Sequence, residues 1–421
     1  MPLPVQHAQR LVDGRQQRGQ VQRMQDGNIR HQRTAGKRGQ VEGMGMHQVK
    51  LTAPLVSPIA QPYVGGSQAL VADLAKGLAR RGHAVTLFAR AGSVVPGVKI
   101  EPIAVPESVL PADFADAASA GDIPVNTGYF VQANLFLDLF LQLRRRSSEF
   151  DLVHAHAFDL PSFASSALVT DIPVLHTLHL PALLPSINEA LRVLQRQGHP
   201  LTLICVSRDS ARSYADYTDV DAVVYNGLDL QAIPFSSHPS SEGPLLFAGR
   251  IAPEKGVEAA IEIAGRAGYR LLIAGGIYDR RYWRERIEPR LREAGERVTY
   301  LGHLERLALW KIMGQALGLL FPIEWDEPFG LVAVEAMATG TPVIAYRRGA
   351  AEEVIRHGET GFLVEPGETA HAAALVDDLY DIPRARCRAH VETHFSLQGT
   401  LDAYERVYRD ALRRFPAPYA Q

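Results

Sequence analysis

The chain has 421 residues, 46% of them apolar and 21% charged, with 44 basic against 46 acidic side chains and a net charge of −2. That length exceeds one ordinary core and fits two domains plus a tail. The near-neutral balance gives no global reason to expect nucleic acid, and no apolar run reaches the roughly 18 residues that a membrane span needs. Cys205 and Cys387, the two cysteines, sit in segments that read as buried or helical, which points to a reduced, cytoplasmic protein rather than a disulfide framework.

Residues 1–45 differ from the rest. They are crowded with Gln, Arg and Gly, contain no Ser, and carry Arg10, Arg15, Arg18, Arg23, Arg30, Arg33, Lys37 and Arg38 against Asp13, Asp26 and Glu42. They lack the apolar core of a secretory signal and the Ser content of a transit peptide. Such a segment cannot bury enough surface to offset its ordering entropy. It is expected to be disordered or an upstream extension, with Met44 or Met46 as the native start. The functional alternative is a basic arm touching RNA or acidic lipid.

Residues 46–234 form the first predicted domain. Gln48 to Pro54 reads as a strand, and a loop containing Gly65-Gly66 follows. A helix with Leu70, Val71, Leu74 and Leu78 at helical spacing then stops at Gly82, and Ala84 to Arg90 is the next strand. This is the strand, glycine loop, helix, strand unit of a nucleotide-binding half. The pair is not the three-glycine dinucleotide fingerprint, which disfavours NAD. It lets backbone approach a ligand, making Gly66 a candidate contact, against the alternative of an ordinary flexible loop. Residues 126–146 read as a helix ending in Arg144-Arg145-Arg146, a solvated basic end or, on a second reading, a patch for a membrane surface or acidic acceptor. The Phe150 to His156 strand alternates so that His154 and His156 share a face. His179 closes a similar strand, with structural use the first reading and an acceptor contact the second. Leu201 to Ser207 and Val223 to Asn226 complete the domain.

A Ser-, Pro- and Gly-rich linker, with the boundary near Pro234 to Glu242, leads to a second domain at 243–397. It opens with the strand Pro244 to Ala248 and the loop Gly249-Arg250-Ile251-Ala252-Pro253-Glu254-Lys255-Gly256. Two permanent cations on a glycine-bounded loop opening into a helix suit a diphosphate, although loop cations are also common on plain surfaces. Arg270 to Ala274 and Val298 to Leu301 are further strands, the latter ending at Gly302. Ile277 to Glu288 reads as a cleft cover or an exposed helix. The apolar strand Leu317 to Pro322 then runs into Trp325-Asp326-Glu327-Pro328-Phe329-Gly330, a helix carrying Glu335, and the strand Pro342 to Tyr346. Amides of Phe329, Gly330 and Leu331 at the helix start suit a phosphate. Glu327 and Glu335 can hold two hydroxyl-bearing parts of one ligand, or be acids that simply favour a first helical turn.

Taken together, Glu327-Pro328-Phe329-Gly330, Glu335-Ala336-Met337-Ala338-x-Gly340-x-Pro342-Val343-Ile344 and Gly249-Arg250-x-x-x-Glu254-Lys255-Gly256 resemble glycosyltransferase family 4, the retaining GT-B enzymes with a glutamate-x7-glutamate signature. The close, Arg348-Gly349-Ala350-Ala351-Glu352-Glu353, has one glycine where many relatives carry two. The resemblance runs from about Val49 to the C-terminus.

It implies an α/β GT-B fold, with two Rossmann-like domains of parallel sheet facing across a cleft and a last helix, 398–421, crossing back to the first domain. Further implications are that Arg250 and Lys255 bind donor phosphates, Glu327 the transferred sugar, Glu335 the ribose and His156 the sugar from across the cleft. Backbone at Gly302 would meet the base, and the Gly66 loop the donor phosphate and acceptor. The implied reaction is retaining transfer of a hexose from a nucleoside-diphosphate sugar, UDP on family frequency, to an unidentified acceptor hydroxyl. It needs no cofactor, metal or nucleic acid, and the sequence indicates neither a lipid anchor nor an oligomeric state. A GT-B epimerase or phosphorylase and a non-catalytic sugar-nucleotide-binding protein are the alternatives.

Overall fold

Strands buried on both faces need continuous apolar runs rather than alternation. Leu201-Thr202-Leu203-Ile204-Cys205 and Gly318-Leu319-Leu320-Phe321 are such runs, and every residue in both is buried. The computed structural model describes residues 47–55, 57–61, 63, 65–105, 127–157, 160–199, 201–240 and 243–415. The segment expected to be an extension lies outside these.

The first half comprises β1 (Gln48–Thr52), α1 (Gly66–Arg80), β2 (Ala84–Arg90), β3 (Lys99–Ile103), α2 (Thr127–Arg145), β4 (Leu152–Ala155), α3 (Leu160–Ser166), β5 (Val174–Leu178), α4 (Pro185–Arg196), β6 (Leu201–Cys205), α5 (Arg208–Tyr214) and β7 (Ala222–Val223). Among the described residues these strands form one parallel sheet ordered β3-β2-β1-β4-β5-β6-β7.

The second half contains β8 (Leu245–Ala248), α6 (Val257–Ala267), β9 (Leu271–Ala274), α7 (Arg280–Tyr282), a π-helical turn over Trp283–Ile287, α8 (Glu288–Ala294), β10 (Val298–Gly302), α9 (Arg306–Gln315) and β11 (Gly318–Phe321). It continues with α10 (Leu331–Ala338), β12 (Val343–Tyr346), α11 (Ala351–Val354), β13 (Gly361–Val364), α12 (Thr369–Ala374), α13 (Arg384–His394) and α14 (Leu397–Arg414). Its sheet is also parallel, ordered β10-β9-β8-β11-β12-β13. Ile277 to Glu288 is thus largely helical.

Both orders reverse direction once, between β1 and β4 and between β8 and β11. Ligand crevices of open parallel sheets form at such switch points, beyond the carboxyl ends of the strands. This is the two-domain Rossmann-like arrangement expected from the sequence.

The connecting segment is fastened to the second half well before Pro234. Leu228 and Ile233 are buried with the β11 and α10 side chains, and Arg388 donates to the carbonyls of Leu230 and Ile233. Polar composition hid this, because two scattered apolar side chains and backbone carbonyls hold the segment rather than a periodic apolar stripe.

α14 packs on the first sheet. Leu401, Tyr404 and Tyr408 are fully buried beside Val49, Leu74 and Leu78, and Tyr408 Oη lies 2.8 Å from His154 Nδ1. Arg146 is not a solvated helix end. It donates to Glu101 at 2.8 and 3.1 Å and to Glu149, tying α2 to β3.

Candidate active site

β8 and β11 lie side by side, so the loops leaving their carboxyl ends meet. The first carries Pro253 to Lys255 as a single 3-10 turn closed by Gly256 at φ +73°. A Cβ at Gly256 would lie 1.8 Å from the Pro322 carbonyl oxygen, so glycine alone fits there. The Glu324 amide donates to the Glu254 carbonyl at 3.0 Å and sews the two loops together.

That seam places Lys255 Nζ 2.5 Å from Glu327 Oε2. Trp325 Nε1 donates to the same oxygen at 2.6 Å, and Lys255 lies over the Trp325 ring at 5.0 Å from its centre. Both bonds fall on Oε2, which leaves Oε1 outside this pair of contacts. Trp325 opens the run that carries Glu327 and Glu335 in the sequence, yet only the fold gives its indole a partner. Gly349 supports the same loop from the far side, where the Ala350 amide donates to the Glu327 carbonyl at 3.0 Å.

Arg250 is exposed and rests on Tyr278, its guanidinium 4.5 Å from the ring centre, with Glu254 at 3.7 Å. It is held beside the Lys255 turn by exposed groups that a ligand can displace.

Gly330 has φ +85° and caps α10. The first amides of a helix have no intrahelical acceptor and favour an anion. The Phe329 side chain turns away into an aromatic cluster with Tyr225 and Phe395, at ring distances of 6.1 and 5.7 Å. Only its backbone remains for a ligand. Leu331 reaches across to the first half, since a Cβ at Gly66 would lie 3.3 Å from Leu331 Cδ2. Gly66 therefore meets a protein side chain in this structure.

Glu335 lies one turn beyond Leu331 and is buried. Arg306 Nε donates to Glu335 Oε1 at 3.0 Å, and Arg306 Nη1 donates to Asp73 Oδ2 at 2.9 Å. Arg306 follows the β10 end, where Gly302 has φ +73°. Neither Arg306 nor Asp73 stands in a motif, and their 233-residue separation gave the sequence no signal.

His156 directly follows β4 and is fully buried. Its Nδ1 lies 3.1 Å from His179 Nε2, its ring lies 4.1 Å from that of His154, and its Nε2 has no partner among the described residues. Burial drives the pKa of His154 and His156 well below the ordinary imidazole value, and lowers His176 to about 3 and His179 to about 4. These rings are neutral. The structure thus joins Lys255 to Glu327 and Gly66 to Leu331, and it holds His156 within the first half.

A cavity of about 770 Å³ beside α6 is lined by Pro253 and Glu324 of the two loops but by none of Arg250, Lys255, Glu327, Glu335 and His156. Within it Arg286 and Arg290 both pair with Glu258, at 2.9 and 2.6 Å.

The family model for Glycosyltransferase Family 4 matches residues 64–232, and that for Glycosyl transferases group 1 matches residues 231–392. The glycogen synthase of Mycobacterium tuberculosis is 30% identical over 303 residues, covering 65% of this chain and 72% of the relative. The chain belongs to glycosyltransferase family 4. A second relative of this glycosyltransferase, the D-inositol 3-phosphate glycosyltransferase of Mycolicibacterium smegmatis, is 29% identical over 410 residues, 87% of this chain and 92% of the relative. The fold matches sucrose-phosphate synthase from Thermosynechococcus elongatus with a TM-score of 0.70 at 21% identity, over 87% of this chain and 100% of that one. It also matches Anabaena HepE in complex with UDP, with a TM-score of 0.66 at 18% identity, over 86% of this chain and 100% of that one. The GT-B architecture expected from the sequence is therefore observed. Among the described residues no helix is long and apolar enough to cross a membrane.

Proposed function

We propose that this glycosyltransferase moves a hexose from a UDP-sugar to an acceptor hydroxyl, with retention at the anomeric carbon and without a metal ion. The observation that carries the reading is the Lys255–Glu327 pair at the β8/β11 switch point, directly before the α10 N-terminus. Departure of a nucleoside diphosphate builds negative charge on its phosphates. Fixed cations and helix amides stabilise that charge without reorganising. Lys255 and Arg250 supply the cations, and Gly330 and Leu331 the amides.

In this reading Glu327 holds hydroxyls of the transferred sugar, Glu335 the ribose, and backbone at Gly302 the base. His156 presents its unpaired Nε2 to the sugar once ligand binding uncovers it. Retention follows from same-face attack in which the departing phosphate takes the acceptor's proton, so no side chain need act as general base. UDP is supported by a fold neighbour solved with UDP and another structure of it solved with UDP-glucose. A reducing, cytoplasmic location fits Cys205 and Cys387, which are free and buried.

The test is thermal shift of the full chain with a panel of UDP-, GDP- and ADP-sugars. A rise of several degrees with one donor, lost in Arg250→Ala, supports the site and names the donor. No shift with any donor, from folded protein, overturns the reading. Turnover of the donor to an epimer with no acceptor present would move the protein to the epimerase class. Proton NMR of the product's anomeric coupling then decides retention.

A further inference from the structure

α1 of the first half and α10 of the second face one another at two matched levels. At the first, Gly66 opens α1 and meets Leu331, which opens α10. At the second, Asp73 lies seven residues along α1 and Glu335 four residues along α10. Spacings of seven and four return to the same helix face, so each side chain points as its predecessor does. The gap between the two carboxylates is filled by Arg306, at 2.9 Å from Asp73 and 3.0 Å from Glu335. Its guanidinium also lies 4.7 Å from the centre of the Trp310 ring.

All three charged side chains are largely shielded, with 18% of Arg306, 13% of Asp73 and 10% of Glu335 exposed. An arginine's planar fork can satisfy two carboxylates in fixed directions, which a lysine cannot. The bond to Glu335 falls on Oε1 and leaves Oε2 to a ligand. Asp73 also has Lys76 Nζ at 3.5 Å, so Arg306 is not its sole cation, and the second oxygen of Glu335 is suited to accepting hydrogen bonds from ligand hydroxyls. That carboxylate is linked to Asp73 of the first half through the guanidinium.

We infer that Arg306 is a positioning residue that orients Glu335 for the donor's ribose and couples that contact to the approach of the first half through Asp73. The inference rests on the donor-site reading above. Its consequence is reciprocal: nucleotide binding at Glu335 favours the juxtaposed helices, and loss of Asp73 weakens nucleotide binding although Asp73 has no assigned ligand contact. A merely structural ion pair would change stability and leave the ribose preference alone.

The experiment uses calorimetric titration of the full chain with UDP and with 2′-deoxy-UDP. Wild type is expected to prefer UDP. Asp73→Asn should weaken UDP binding by about fivefold, the low end of ordinary coupling between sites. Arg306→Lys, which keeps the charge and protects folding, should lose most of the preference for UDP over its 2′-deoxy form. The Asp73→Asn/Arg306→Lys double variant should bind no worse than Arg306→Lys alone, because the coupling is already broken. Wild type that binds UDP while Asp73→Asn binds it equally well, or single effects that multiply in the double variant, would overturn the inference alone. Wild type that binds no nucleoside diphosphate overturns the donor reading and this inference with it.

Discussion

Lys255 Nζ and Glu327 Oε2 lie 2.5 Å apart although the residues are 72 positions apart in the chain. A residue expected to grip phosphate and one expected to grip sugar are thus each other's partner. The pair joins the loops at the switch-point crevice, and the short 3-10 turn closed by Gly256 sets the backbone from which the lysine extends.

Lys255→Ala is therefore expected to act mainly on turnover. Under the proposed reading the ammonium acts chiefly when charge accumulates on the leaving phosphate, so kcat should fall by about 10²–10³. Donor KM should change far less. Steady-state kinetics with the donor found by thermal shift make the check, and a rise in KM with unchanged kcat would contradict the role. Glu327→Gln in the Lys255→Ala background should cost less than Glu327→Gln alone, since residues in direct contact do not behave additively.

Glu335→Ala should show the opposite split. A ribose contact is made equally in the ground and transition states, so its removal raises donor KM by about tenfold and leaves kcat within a few-fold. Equal loss of both parameters in this variant and in Lys255→Ala would reject the division of labour.

Much of the local geometry around the candidate site was legible because its pieces sit inside local motifs. Gly249 to Gly256 and Glu327 to Gly340 each combine a strand end, a glycine turn and a helix start, and local chain geometry dictates those features. The parallel sheets were legible for the same reason, as apolar runs separated by helical stripes. Contacts across the two halves were not. Arg306 with Asp73, and Glu353 with the amides of Arg208 and Asp209 at 2.9 and 2.7 Å, join residues more than 140 positions apart. Nothing in either segment's periodicity marks the partner. His156 shows a partial reading: alternation placed it on one face with His154, but its burial against His179 depends on the neighbouring strand β5, which alternation alone does not describe.

The histidine cluster predicts an acid limit to stability. His176 and His179 have folded pKa values of about 3 and 4 because burial penalises the charged ring, while an unfolded imidazole titrates near 6.5. Between those values the unfolded chain binds protons that the folded chain refuses, so unfolding free energy falls as pH falls. Each such ring contributes a slope of about 1.4 kcal/mol per pH unit across its window. Stability should be nearly flat above pH about 7 and decline from pH about 6 downward. Urea denaturation at pH 5.0 and 7.5, compared with His176→Phe, tests it. The variant should lose less stability on acidification than wild type, and parallel losses would reject the assignment.

Gly349 offers a test of how tightly the Glu327 loop is set. Its φ is +56°, and a Cβ there would lie 2.5 Å from both the backbone nitrogen and oxygen of Glu327. Gly358 has a similar φ of +75°, but a Cβ added there meets nothing within 4 Å. Both alanine variants carry the same kind of backbone penalty, about 1 kcal/mol or slightly more for a left-handed alanine. Only Gly349→Ala must also displace the backbone that carries Glu327. Gly358→Ala should therefore lower stability modestly and leave kcat/KM within twofold. Gly349→Ala should lower kcat/KM at least tenfold, because displacements of about 1 Å at positioned catalytic groups cost factors of that size or more. Transferase assays at saturating acceptor, run beside thermal melts of both variants, make the comparison. Equal kcat/KM in the two would show that the loop tolerates movement and that Glu327 need not be held where Gly349 holds it.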